Sequence, residues 1–261
     1  MNVLDPEYVP GHNLLAGKSV LITAAAGAGI GFAAAKRAAE EGARALFISD
    51  IHEGRLAKAA DALEAETGLR PATQICNVTD EADVQSLVNA AVEHLDGVDV
   101  LINNAGLGTS KMLVDMEDDE WNKVIDVTLN GTMRMTRAMM RHMQPRKKGA
   151  IVNNASVLGW RAQVEQCHYA AAKAGVMALT RCAAKEAAEH GVRINAVSPS
   201  IAIHEFLKKS ASPELLEKLV ENEAFGRGAE VWEVANVMMF LASDYSSYMT
   251  GEVVSCSSQR S

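Results

Sequence analysis

The sequence has few of the features that mark secreted, membrane-spanning or metal-binding proteins. Only four cysteines occur in 261 residues, without a CxxC pair, and no histidine–cysteine cluster has zinc spacing. Scattered cysteines of this kind indicate reduced, mostly buried thiols. No apolar run is long enough for a membrane helix, and the N-terminal residues lack the basic and apolar parts of a secretion signal. The sequence therefore predicts a cytoplasmic protein with no metal and no membrane partner.

Positive charge is also scarce. The formal net charge is −8, so a general nucleic-acid partner is not expected, because binding to a phosphate backbone needs a basic face. Aromatic residues make up only 5% of the chain, but apolar residues reach 48%, many of them alanine. This composition and length predict a folded protein with one substantial core.

Short apolar segments alternate with helix-like segments along the chain. This alternation predicts an α/β fold: a single doubly wound parallel sheet of about seven strands with helices on both faces. We expect an irregular arm over residues 1–16, one domain over 17–261, and one long helix from Asp118 to Met143. The predicted strands are KSVLIT, ARALFISD, PATQIC, VDVLINNAG, GAIVNNAS, VRINAVSPS and GEVVSC.

A glycine-rich loop follows the first predicted strand and opens the first predicted helix. Three glycines let the backbone approach a phosphate, and the helix N-terminus offers free N–H groups. Asp50 ends the second strand, where a carboxylate accepts hydrogen bonds from a ribose diol and repels a 2′-phosphate. Ala28 supplies no basic group, so the sequence favours NAD over NADP. The alternatives are a tight turn and a solvated acid. The predicted phosphate-loop residues are Gly27, Gly29, Ile30 and Gly31.

Three residues around the fifth strand form a candidate catalytic group. Tyr169 and Lys173 stand four apart, hence on one face of a helix. A neighbouring ammonium is expected to lower the phenol pKa, so that the phenol exchanges a proton with an alcohol oxygen. Ser156 ends the fifth strand, at the sheet edge where ligands bind, and can hold the same oxygen. The spacing of Tyr169 and Lys173 alone also arises by chance.

These motifs occur together in the order typical of one enzyme family. TAAAGAGIG, INNAG, NNAS, YAAAK and INAVSPS make the chain, from Leu14 onward, resemble the short-chain dehydrogenase/reductase family. The resemblance implies a Rossmann-like sheet, a nicotinamide cofactor and a homotetramer, with a dimer as the alternative. It implies that Ser156 orients the substrate oxygen, that Tyr169 is the acid and base, and that Lys173 tunes Tyr169 and binds the nicotinamide ribose.

The same resemblance assigns further residues around the cofactor. The adenosine side is lined by Asn104, Ala105 and Gly106. Adenine lies beside Asn77, which replaces the usual aspartate, and beside the backbone of Val78. The nicotinamide carboxamide lies near Pro199 and Ala202.

The chain departs from the family at four further places. Ala24 replaces the first loop glycine, and the loop is one residue longer. Thr128 replaces the asparagine that supports a water leading to the lysine; because that water is held largely by a backbone carbonyl, Thr128 is kept in the catalytic set. Ser200 follows Pro199 where glycine is usual, and His204 stands where threonine is usual. A catalytically silent nucleotide-binding protein therefore stays open as an alternative.

Substrate residues are expected in the loop after Ser156 and in the segment 204–228. Trp160 could cover a ring or only anchor the loop, and Arg161 could meet an acyl-CoA phosphate or be solvated. His204, at the start of that segment, is also predicted to contact the substrate. His168, beside Tyr169, is interpreted as a packing residue.

Longer stretches of the sequence resemble one subgroup within the family. AAAGAGIG, NNASVLGWRAQ and ASDYSSYMTGEV resemble a bacterial subgroup of steroid (cholesterol) catabolism. Its members oxidise a ring hydroxyl on a coenzyme A thioester of the hydroindane remnant. The predicted function is therefore NAD-dependent interconversion of a ring alcohol and ketone on an acyl-CoA. The alternative is a 3-oxoacyl-acyl-carrier-protein or 3-oxoacyl-CoA reductase, whose carrier would dock on a basic patch at 146–148.

Overall fold

The computed structural model describes residues 6–204, 207 and 213–259. The strands are β1 Ser19–Thr23, β2 Ala45–Asp50, β3 Ala72–Ile75, β4 Val100–Asn103, β5 Gly149–Asn154, β6 Val192–Pro199, β7 Ala202–Ile203, β8 Ala229–Glu230 and β9 Val253–Cys256. The α-helices are α1 Ile30–Glu40, α2 Glu53–Thr67, α3 Glu81–His94, α4 Asp118–Ile125, α5 Gly131–Arg146, α6 Cys167–Ala188, α7 Pro213–Val220 and α8 Val231–Ala242.

Seven parallel strands form one sheet in the order β3-β2-β1-β4-β5-β6-β9. This confirms the predicted doubly wound fold. The strand order reverses between β1 and β4, and ligands bind outside the carboxyl ends of the strands at such a point. The ends of β1, β2, β4, β5 and β6 therefore share one edge of the sheet.

The two faces of the sheet are covered by helices with small apolar contact residues. One core cluster joins the sheet to α1, α2 and α8, and a second joins it to α3, α5 and α6. The central strands β1 and β4 are buried along their whole length, which explains why β1 is a continuous apolar run without alternation. Alanines on α1 and α6 allow these helices to lie close to the sheet.

The predicted long helix over 118–143 is wrong in one respect. A π-helical turn over Asp126–Asn130 separates α4 from α5. A π turn adds a residue to a helical repeat, and such turns are frequent at functional sites. Thr128 lies at the middle of it and is fully buried. The short β7–β8 pair was also not predicted, because two-residue strands carry no periodic pattern.

The N-terminal arm lies against the end of α1. Arg37 is buried, donates hydrogen bonds to the carbonyls of Val9 and Pro10, and forms an ion pair with Glu41 at 2.8 Å. The Glu41 carboxylate in turn accepts hydrogen bonds from the backbone N–H groups of His12 and Leu14. Within the described ranges, no helix combines the length and apolarity needed to cross a membrane.

Candidate active site

The glycine loop brings the start of α1 close to the end of β1. Gly29 caps α1 in an extended conformation, and among the described residues no side chain caps it, so its N–H groups face outward for a ligand. Gly27 has φ of +129°, which only glycine adopts readily. A Cβ on Gly31 would lie 2.3 Å from the Ala24 carbonyl oxygen and 2.5 Å from Asn104 Nδ2. Gly31 therefore permits the close approach of α1 to the loop.

Ala24 occupies the position of the family's first loop glycine, in a backbone conformation that is unfavourable for alanine. Its φ is +51°, in the left-handed region that costs a non-glycine residue about 1 kcal/mol. Its carbonyl accepts a hydrogen bond from Asn104 Nδ2 at 3.0 Å, and Thr23 Oγ1 accepts from the N–H groups of Asn104 and Ala105. These bonds join the ends of β1 and β4 at the switch point of the sheet.

Asp50 is tied to the glycine loop. Its carboxylate accepts hydrogen bonds from the N–H groups of Ala26 and His52, both at 3.1 Å. Burial raises the pKa of Asp50, and the Ala26 hydrogen bond and the Arg55 charge act against that rise. Arg55 lies 3.8 Å away and is half exposed. A basic group therefore does stand near this carboxylate, which the sequence argument overlooked.

The two residues that are predicted to contact adenine already accept hydrogen bonds within the chain. Asn77 Oδ1 already accepts from the N–H and the hydroxyl of Thr79, at 3.1 and 2.9 Å. An adenine amine would compete with both bonds. The Val78 carbonyl accepts from Arg134 at 3.3 Å.

Ser156, Tyr169 and Lys173 meet at the carboxyl end of β5. Ser156 is buried at the end of the strand, and its hydroxyl accepts a hydrogen bond from the Leu158 N–H at 3.2 Å. Lys173 is buried one helical turn after Tyr169, and its Nζ lies 5.4 Å from the centre of the Tyr169 ring. Lys173 Nζ donates to the Asn154 carbonyl at 2.6 Å. This role of Asn154 was not predicted from the sequence, although the residue lies within the NNAS motif.

The expected lowering of the Tyr169 pKa is not found. Burial raises the pKa of Tyr169 to about 12, and its hydrogen bond with Ser156 only reduces the rise. Burial also lowers the pKa of Lys173 to about 8. A buried ammonium loses hydration, so the cation that was expected to stabilise a phenolate is itself destabilised.

Thr128 contributes to the site by holding a loop. Its Oγ1 donates to the Leu107 carbonyl at 3.1 Å and accepts from the Leu107 N–H at 3.0 Å. Its own carbonyl accepts from Thr132 Oγ1 at 2.8 Å. Asn130 bonds to Asp126, as expected for a side chain directed away from the site. Next to Leu107, a Cβ on Gly106 would lie 3.5 Å from Lys173 Nζ.

A match to a family model identifies the family of this chain. A family model described as enoyl-(acyl carrier protein) reductase matches residues 24–258, nearly the whole chain. The chain belongs to the short-chain dehydrogenase/reductase family. It is therefore an oxidoreductase, with a nicotinamide cofactor typical of the family.

Named members of the short-chain dehydrogenase/reductase family are similar over almost the whole chain. The (5R,7aS)-5-hydroxy-7a-methyl-1-oxo-2,3,5,6,7,7a-hexahydro-1H-indene-carboxyl-CoA reductase of Mycobacterium tuberculosis is 58% identical over 97% of both chains. The 3-oxoacyl-(acyl-carrier-protein) reductase of Thermotoga maritima is 38% identical over 92% of this chain and 96% of its own. The crystal structure of a short chain dehydrogenase from Mycobacterium smegmatis has a TM-score of 0.88 and 55% identity, and the match covers 99% of both chains.

The predicted substrate residues have the following surroundings. Trp160 is half exposed, and Arg161 donates to Gln259 Oε1 at 2.7 Å. Ala202 lies in β7, after Pro199 at the end of β6, and His204 Nδ1 accepts from the Leu207 N–H at 3.3 Å. Part of the predicted segment 204–228, namely 205, 206 and 208–212, is outside the described residues.

Replacing Lys173 with methionine is expected to raise the free energy of unfolding by about 1 kcal/mol at pH 7, while activity is lost. Below pH 8 the amine is charged in both folded and unfolded chains, and the folded protein bears the full burial penalty, which exceeds the loss of one hydrogen bond. Between pH 8 and the ordinary pKa of 10.5 the folded chain releases its proton first, so wild-type stability rises with pH.

The advantage of Lys173→Met should therefore disappear near pH 9.5, where the wild type has regained about 2 kcal/mol. Urea unfolding at pH 7 and pH 9.5 measures both values. Lys58→Met, on the exposed face of α2, is the control and should show no such change with pH. A variant of Lys173 less stable than wild type at pH 7 contradicts the expectation.

Proposed function

We propose that this protein is an NAD-dependent dehydrogenase/reductase that interconverts a ring hydroxyl and a ketone on a bulky acyl-CoA of the hydroindane type. The observation that carries the proposal is the 58% identity, over 97% of both chains, to a reductase named for such a substrate. The grouping of Ser156, Tyr169 and Lys173 at the ligand-binding edge supports it.

The residues around the switch point fit a dinucleotide. The uncapped N-terminus of α1 and the close approach at Gly31 suit a pyrophosphate, and Asp50 has lone pairs left for a ribose diol. Lys173 would hold the nicotinamide ribose, with Asn104 and Ala105 beside the adenosine. When bound, the nicotinamide supplies the acceptor or donor of a hydride.

The side chains then manage the proton at the substrate oxygen. Ser156 and Tyr169 hold that oxygen by their hydroxyl groups. In reduction, Tyr169 Oη gives its proton to the oxygen and the resulting phenolate regains a proton from solvent. In oxidation, the phenol first releases its proton to solvent and then takes the proton of the alcohol. A phenol with a pKa of about 12 keeps its proton at neutral pH and is therefore ready to act as the acid. Lys173 Nζ donates to the Asn154 carbonyl and lies 5.4 Å from the centre of the Tyr169 ring, so its charge favours the phenolate that forms during reduction.

A bulky apolar substrate is supported by the two loops that border Tyr169. Lys111 N–H donates to the Glu165 carbonyl at 3.1 Å, so the loop after β4 and the loop before α6 lie side by side. Both loops expose large apolar side chains near this bond. These are Leu113 (60%), Val114 (88%), Trp160 (52%) and Val164 (74%). Such a group of exposed apolar residues is typical of a binding site.

The assay that tests the function uses purified protein with three alcohols: a hydroindane hydroxyacyl-CoA, a linear 3-hydroxyacyl-CoA and its acyl-carrier-protein equivalent. We expect NADH formation with the ring substrate and at least a tenfold lower kcat/KM with the linear thioesters. Preference for the acyl-carrier-protein thioester overturns the substrate assignment and leaves the reductase alternative.

The reductase alternative rests on relatives such as the Thermotoga maritima enzyme. The predicted carrier-docking patch speaks against it. Arg146 donates to the Val98 carbonyl and to Asp99, and Lys148 also pairs with Asp99 at 3.0 Å. Arg146 and Lys148 share the one carboxylate of Asp99, so a single negative charge within the chain partly offsets this basic patch.

Cofactor choice is tested at Asp50. Asp50→Ala is expected to lower kcat/KM with NAD about tenfold, since a charge-assisted hydrogen bond to the ribose is lost. It should raise kcat/KM with NADP, because Arg55 is released toward a 2′-phosphate. Arg55 also lines an apolar cavity of about 490 Å³ that opens at Gly27 and Ala28. Initial rates with both cofactors measure the ratio.

The matched control is the double variant Asp50→Ala/Arg55→Ala, which should lose the gain with NADP. Wild-type protein that prefers NADP contradicts the assignment of NAD.

We further propose a cytoplasmic homotetramer, with a dimer as the alternative. Sedimentation of the purified protein distinguishes the two assemblies.

A further inference from the structure

His168, which precedes Tyr169, is interpreted from the sequence as a packing residue, and it is completely buried. Its Nε2 forms a hydrogen bond of 2.7 Å with Thr109 Oγ1, in the loop that follows β4. Burial lowers the pKa of His168, which keeps the imidazole neutral. The neutral imidazole therefore links the start of α6 to an exposed loop through one short hydrogen bond.

Neighbouring residues strengthen the same connection. Gln166 Nε2 donates to the Thr109 carbonyl at 2.9 Å and to Ser110 Oγ at 3.1 Å. Residues 106–111 are thus attached to the first turn of α6 at one end. At the other end, Thr128 holds both backbone groups of Leu107.

Gly108 lies between these two attachments and against the phenol. A Cβ on Gly108 would be 3.3 Å from Tyr169 Cδ2 and 3.4 Å from Cε2, so the backbone of Gly108 passes close to the ring. Fixing the loop at Leu107 and Thr109 therefore fixes one wall of the Tyr169 ring. A displacement of about 1 Å in a proton-transfer group reduces rates strongly.

We propose that His168 is a positioning residue, which holds Thr109 and so keeps the backbone of Gly108 against the ring of Tyr169. This rests on the proposed proton transfer by Tyr169. The bond from His168 acts on Tyr169 through the loop.

The experiment compares His168→Phe, Thr109→Val and the double variant with wild type, in the ring-alcohol assay and by NADH fluorescence titration. Each single variant should lower kcat about tenfold, with the Kd for NADH unchanged within twofold. Because both remove the same bond, the double variant should be no worse than either. His168→Gln, whose amide can reach Thr109, should recover most of the rate.

His190→Phe, in the partly exposed chain after α6, is the matched control and should leave kcat unchanged. If His168→Phe does not fold, Thr109→Val still tests the proposal, because it removes the same hydrogen bond. An unchanged kcat for Thr109→Val, or additive losses in the double variant, overturns the positioning role. Absence of turnover in the wild type refutes the proposed function instead.

Discussion

Replacing Tyr169 with phenylalanine is expected to lower kcat about 10³-fold while the Kd for NADH stays within twofold of wild type. The phenol hydroxyl is the group placed beside Ser156 to exchange the substrate proton, and general acid catalysis contributes about 10² to 10⁴ in rate. The ring itself stays, so its packing against Gly108 is retained. Stopped-flow or steady-state absorbance of NADH measures the rate, and fluorescence titration measures the affinity.

Tyr245→Phe is the control for this substitution, because Tyr245 is an exposed tyrosine away from the site. It should leave kcat unchanged. If Tyr169→Phe turns over at the wild-type rate, the proton is handled by another group. If wild type and variant are equally inactive but bind NADH, the chain is the silent nucleotide-binding protein that the sequence left open.

Replacing Gly31 with alanine is expected to destabilise the protein by about 3 kcal/mol and to weaken NADH binding at least 100-fold. The added Cβ would lie 2.3 Å from a backbone carbonyl oxygen, a distance that no flexible side chain can relieve. The start of α1 must then move away from the Ala24 loop, and overpacking of this kind costs about 1–3 kcal/mol or more. Urea unfolding and NADH titration measure the two effects.

Gly54→Ala gives the matched comparison, since a Cβ there meets open space at the first turn of α2. It should be neutral or slightly stabilising, because alanine favours the helix. A Gly31 variant with wild-type NADH affinity would show that the close approach of α1 is not needed for the nucleotide.

Much of the fold was predictable because its signals are local. Continuous apolar strands such as β1, the glycine loop and the Tyr169–Lys173 spacing each lie within a few residues. The confirmed sheet follows from their alternation. Whether each proposed site residue acts as expected stays a prediction.

Other features depend on contacts that no short pattern reports. The π turn at Thr128 is a one-residue change of helical repeat, and its sequence does not differ from that of an ordinary helix. The bond from His168 to Thr109 joins residues 59 apart. The raised pKa of Tyr169 depends on burial, whereas the sequence argument considered only the charge of Lys173.

The attachment of the N-terminal arm to α1 has a practical consequence for protein engineering. Arg37 and Glu41 form a buried ion pair, and backbone groups between Val9 and Leu14 form further hydrogen bonds with both side chains. Removing those residues would take these hydrogen bonds from a guanidinium and a carboxylate that are both buried, and would open the ion pair to water. Trimming this terminus, or fusing a rigid tag directly ahead of Tyr8, would therefore act like a substitution in the protein interior.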